Sequence, residues 1–186
     1  MKHHPDLKSL QFPIGQFVPP EEITPLHLEV WRETITNFPQ QLGNISRALT
    51  QTELNWRYRP DGWKIKQVIH HLADSHMNAL IRLKLALTEE NPVIRPYEEA
   101  LWAQLTDSES DNIEASLKII EGIHSRWSQI LKNATTQDWN RMYFHPQHQR
   151  FFTIKEFLGL YDWHCRHHFA HIQQALQHKG TFNSTL

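Results

Sequence analysis

The chain has 186 residues, a length that predicts one domain with at most an added arm. Hydrophobic residues make up 39% of it, enough for a sizeable core, and its apolar runs are too short to cross a bilayer, so a disordered or membrane-spanning chain is excluded. Lys and Arg number 19 against 20 for Asp and Glu, a balance that gives no electrostatic footprint for nucleic acid or anionic membrane.

Residues 1–25 read as an extended arm packing along the body, because Phe12-Pro13-Ile14-Gly15 and Val18-Pro19-Pro20 interrupt any helix. The segment Met1-Lys2-His3-His4-Pro5-Asp6 lacks the apolar stretch of a secretory signal, so a cytoplasmic location is expected. A first helix is predicted from about Pro25 to Leu49, with Thr24 as N-cap, Pro25 at the first position and a kink threatened by Pro39 and Gly43. Arg59-Pro60-Asp61-Gly62 makes a turn, and the stripe Ile65, Ile69, Leu72, Ala73, Leu80, Leu83 and Leu87 predicts a second helix from about Lys64 to Leu87. Asn91-Pro92 stops it. Residues 93–106 read as a long crossover with a short helix around Glu98–Gln104. A third helix spans about Asn112 to Asn133, with Ile113, Leu117, Ile120, Ile123, His124 and Trp127 along one face. Met142–Pro146 suits a turn or short hairpin. A fourth helix follows from Ile154 to about His178, with Thr153 and Glu156 as a capping box and Gly180 at its end. Four long helices with one or two long connections describe an all-α four-helix bundle, a single domain over residues 1–186.

The chain holds 14 His and one Cys, Cys165, which rules out an intramolecular disulfide and a four-cysteine zinc site. On helix four, His164 and His168 differ by about 40° and His171 lies about 20° to the other side of His164. All three share the sector of Phe157, Leu160, Tyr161 and Ile172, and His167 sits at its edge. Histidines spaced i and i+4 can converge on one ion, and burying them is costly unless their nitrogens are satisfied. The plainer alternative is a polar core of hydrogen-bonded histidines. A third ligand would come from helix two, which offers His70, His71 and His76. His76 lies nearest the centre of the apolar stripe and periodicity favours it, although it does not settle the choice. Cys165 reads as a small packing residue. Asp74 reads equally as an orienting carboxylate or a solvated one, Arg82, Arg95 and Arg166 as seats for an anionic substrate or as surface ion pairs, and His145 and His148 as residues of a connection approaching the site mouth or, more plainly, as surface loop residues.

Three stretches, Trp63–Asn78, Lys84–Pro92 with Arg95-Pro96-Tyr97, and Leu160–Ile172, together resemble the DinB/YfiT-like superfamily, most closely its YfiT branch of metal-dependent hydrolases. Phe12–Gly15, Pro60–Trp63 and Tyr143–Pro146 extend the resemblance over most of the chain. It implies a DinB-like bundle of up-down-down-up topology that binds one divalent ion per subunit, Zn2+ or Ni2+, and forms a homodimer in the cytoplasm. By motif the ligands are His71, His164 and His168, in place of the His76 that periodicity favours, while contacts from His76, His167 or His171 stay open. Three imidazoles leave a coordination position open for water or a thiolate. The implied activity is metal-dependent hydrolysis of a small molecule. The alternatives are S-transfer of a low-molecular-weight thiol such as bacillithiol, and a non-catalytic, stress-related metal-binding protein.

Overall fold

A computed structural model describes residues 6–182, so the reading of Met1–Pro5 lies outside the described residues. Threonines set half of the helix starts among the described residues. Thr24 caps α2 (Pro25–Ser46), Thr50 caps α3 (Gln51–Leu54), Thr135 caps α7 (Thr136–Asn140) and Thr153 caps α8 (Ile154–Gln177). In each, a side chain three residues on reaches back to the threonine N–H and satisfies a further donor that the helix leaves free. The other helices are α1 (Leu7–Gln11), capped by Asp6, α4 (Ile65–Thr88), α5 (Glu99–Trp102) and α6 (Glu114–Lys132).

The four long helices are α2, α4, α6 and α8, an all-α bundle as expected. α2 packs on α6 and α8, and α4 packs on the same two, so α2 and α4 face each other across the bundle although they are consecutive long helices. Large side chains from all four fill the centre, among them Phe38, Ile69, Trp127 and Phe157, none more than 2% exposed. No helix among the described residues is long and apolar enough to cross a membrane.

The connections differ from expectation in detail. The arm is not wholly extended, since α1 forms within it and buries Leu10. It packs along α8 as foreseen: Gln174 Nε2 donates to the Leu10 carbonyl at 2.9 Å, and Trp163 Nε1 donates to the Gly15 carbonyl at 3.0 Å. α2 ends at Ser46 and runs through Pro39 without stopping. The expected turn or hairpin is an antiparallel pair, β1 (Met142–His145) and β2 (Arg150–Thr153), in which Tyr143 pairs with Phe152. Phe144 also exchanges backbone hydrogen bonds with Pro92 and Ile94, which ties the crossover after α4 to the hairpin.

Candidate metal centre

His164 and His168 stand one turn apart on α8, and His71 meets them from α4. Each offers a ring nitrogen, and the three nitrogens lie within 4.8 Å of one another. His71 Nε2 is 3.4 Å from His164 Nε2. Two imidazole nitrogens on one tetrahedral ion, each about 2.0–2.1 Å from it, are separated by about 3.3–3.4 Å. Trp63, the residue before the α4 N-cap, packs its ring 4.8 Å from that of His71. Burial lowers the His71 pKa to about 4, with His167 adding to the effect, and holds His164 and His168 well below the ordinary histidine value. The three imidazoles are therefore neutral near pH 7, the form that offers a lone pair to a cation.

Two other groups of donors are equally close, His76 with His124 and Cys165, and His167 with His168 and His171. In the first, His76 Nδ1 and His124 Nε2 are 2.8 Å apart, a hydrogen-bond distance. His76 Nε2 is 3.2 Å from His164 Nδ1, and His124 Nδ1 is 2.6 Å from the Ile35 carbonyl oxygen. Burial pushes the Cys165 thiol well above its ordinary pKa, so it stays protonated, and the cysteine packs in the core as expected. In the second group, His171 Nδ1 is 3.3 Å from His168 Nδ1, and His171 Nε2 is 3.1 Å from the Gln11 carbonyl oxygen. Tyr58 stacks on His171 with ring centroids 3.8 Å apart, and Trp163 stacks on His167 at 4.3 Å.

His71, His164 and His168 line a cavity of about 340 Å3. Its wall also carries Phe12, Trp63 and Trp163, and from α4 and the hairpin Arg82 and His145. Arg82 Nε and His145 Nδ1 are both buried there without a hydrogen-bond partner. Arg82 Nη2 donates to the Arg95 carbonyl at 3.2 Å, and among the described residues no carboxylate pairs with Arg82. His145 is thus no surface loop residue. The register of β1 turns it inward, and burial lowers its pKa to about 4. Arg166 pairs with Asp162 at 2.5 Å, the plainer of its two readings. Asp74 lies outside the cavity lining, and burial raises its pKa to about 6.

Sequence reasoning placed His164, His168 and His71 in one region and gave His124 no role beyond the apolar face of α6, in the middle of which it lies. A histidine within that apolar stripe and a proline inside α2 were the available signals.

The family model of the DinB superfamily matches residues 35–172. YfiT of Bacillus subtilis, named provisionally as a metal-dependent hydrolase, is 40% identical over 172 residues, covering 92% of this chain and 97% of its own. OB0782 of Oceanobacillus iheyensis, with the same kind of provisional name, is 45% identical over 169 residues, covering 91% and 97%. The solved structure of YfiT, described as a probable metal-dependent hydrolase with an unusual four-helix bundle topology, superimposes with a TM-score of 0.89 over 92% of this chain and 98% of that one.

Proposed function

The chain belongs to the DinB superfamily, and from that premise we propose that it is a metal-dependent hydrolase of small molecules whose ion, Zn2+ or Ni2+, is held by His71, His164 and His168. The observation that carries this reading is the convergence of three neutral imidazoles, His71 and His168 buried and His164 half-buried, on one point of a cavity, two of their nitrogens at the spacing of a tetrahedral edge. The donor set fits the group: borderline-soft nitrogen ligands in a three-histidine pattern that leaves a position free. When bound, the ion supplies Lewis acidity, polarising a substrate carbonyl and lowering the pKa of a water or thiol that reaches it.

The protein's own groups do the rest. Trp63, Trp163 and Phe12 screen the histidines from bulk water, which strengthens electrostatic contacts inside the cavity. Arg82 and the unpartnered His145 nitrogen supply polar contacts that orient a substrate against the three histidines.

A second reading, S-transfer of a low-molecular-weight thiol, draws support from the charge of the donor set. Three histidines bring no negative charge, so an anionic thiolate is a favoured further ligand. The test is reconstitution with zinc and with nickel, elemental analysis, and assay of ester and amide substrates with and without bacillithiol. About one ion per chain with thiol-independent hydrolysis supports the first reading. Turnover of monochlorobimane that requires the thiol selects the second. Protein that retains no ion overturns both.

A further inference from the structure

Ile35 sits four residues before Pro39 in α2. In a helix its carbonyl would accept the N–H of residue 39, and proline has none. The proline ring also crowds that carbonyl and tips it off the helix axis. The freed oxygen is buried, and it is the one His124 Nδ1 meets from α6 at 2.6 Å. A carbonyl can only accept, so His124 Nδ1 carries the hydrogen. A neutral imidazole carries one, which leaves His124 Nε2 an acceptor. His76 Nδ1, 2.8 Å away, must then donate, so His76 Nε2 is in turn an acceptor. His164 Nδ1, 3.2 Å further on, donates to it. The only lone pair left on His164 is on Nε2, the nitrogen 3.4 Å from His71 Nε2.

A second chain of donors starts at the arm. Gln11 is the last residue of α1, and its carbonyl is one of those a helix end leaves free. His171 Nε2 donates to it at 3.1 Å, so His171 Nδ1 accepts from His168 Nδ1 at 3.3 Å. His168 is thereby left with its lone pair on Nε2.

We propose that His76, His124 and Pro39, with His171 and the Gln11 carbonyl, are positioning residues for the metal centre: two carbonyls that helices cannot use fix, through chains of histidines, the tautomer in which His164 and His168 each present Nε2 to the ion. This rests on the metal reading above and deepens it. It gives a reason for a proline in mid-helix, where one is ordinarily costly. A metal-ligating imidazole commonly donates its second N–H to a carboxylate, a carbonyl or water. Here neutral histidines stand between ligand and carbonyl, which keeps the set free of negative charge.

The test starts on metal-free protein, where two-dimensional 15N spectra of the imidazoles report each tautomer. The expected result is Nδ1–H for His124, His76, His164 and His168, and Nε2–H for His171. Nε2–H on His164 or His124 overturns the proposal without any variant being made. Zinc affinity is then read by competition with a chelating indicator. His124→Phe, which removes both nitrogens at similar volume, is expected to weaken zinc binding about 10–100-fold. Pro39→Ala restores the competing N–H and favours the helix; it is expected to weaken zinc binding several-fold and to give His164 a mixed tautomer signal. Unchanged affinity in both variants overturns the proposal. If the wild-type protein shows the expected tautomers yet binds no zinc, the relay stands and the metal reading fails.

Discussion

His71 and His76 show why one residue could be read from the pattern and the other could not. His76 marks the centre of the α4 stripe because it is wholly enclosed, fully occupied by His124 and His164 and absent from the cavity wall. A residue that must reach a ligand in a cavity lies at the border of the core stripe, as His71 does, so periodicity favours the supporting residue over the proposed ligand. The family motif points instead to His71, which the structure places on the cavity wall. The two roles separate in a graded prediction. His71→Ala, His164→Ala and His168→Ala each remove tight zinc binding, since two imidazoles make a poor site for Zn2+. His76→Ala weakens it by about 10–100-fold, the usual cost of removing an orienting partner. His167→Ala leaves it unchanged, because the ring of His167 is stacked on Trp163 and its Nδ1 is unpartnered. Indicator competition checks the order, and equal losses in the His71 and His76 variants would remove the distinction drawn between them.

At the level of elements, helix starts were legible because their threonine and proline signals are local, as at Thr24-Pro25 and Thr153 with Glu156. The short α1 and α3 were not foreseen, since helices of 5 and 4 residues are too short to display a period. What sequence does not reveal at Pro39 is that a side chain from α6 takes up the carbonyl it frees. Gly159 was equally silent. It lets α8 close on α2, and a Cβ there would lie 2.8 Å from Trp31 Cη2 and 3.0 Å from Cζ3. Gly159→Ala gains up to about 1 kcal/mol of helix propensity but forces a packed indole to move, an overpacking cost of about 1–3 kcal/mol. A net destabilisation is expected, seen as a lower urea midpoint with unchanged slope; a raised midpoint would show that the two helices have slack. The arm offers a parallel test. Deleting residues 1–12 removes the Gln11 carbonyl, and zinc affinity should fall about tenfold although no proposed ligand is touched.

The whole molecule concentrates its buried polarity in imidazoles, and this sets its response to acid. Composition gave the number of histidines, while their burial depends on how α2, α4, α6 and α8 close around them, which no local pattern encodes. His124 is 1% exposed, and burial lowers its pKa from 6.5 to about 4, only partly opposed by its bond to the Ile35 carbonyl. His171, whose pKa is lowered to about 3 chiefly by burial, behaves alike. Between these values and 6.5 the unfolded chain binds protons that the folded chain refuses, so stability rises with pH across that window and is lost as pH falls through it. A tenfold loss of proton affinity on folding corresponds to about 1.4 kcal/mol, and a folded domain has only about 5–15 kcal/mol in reserve. Metal-free protein is therefore expected to hold a constant urea midpoint above about pH 7 and to lose it steeply between about pH 6.5 and pH 4. The fall should begin above the range in which ordinary carboxylates titrate. Zinc should raise the midpoint at pH 7.5, by preferential binding to the folded state, and the gain should persist through this window and be lost only as pH falls to about 4, where His71 takes a proton and has no lone pair to give. His124→Phe should flatten part of the metal-free profile by removing one of the titrating groups. A midpoint that stays level down to pH 4.5 in the wild-type protein would show that the histidines are not enclosed as the fold places them.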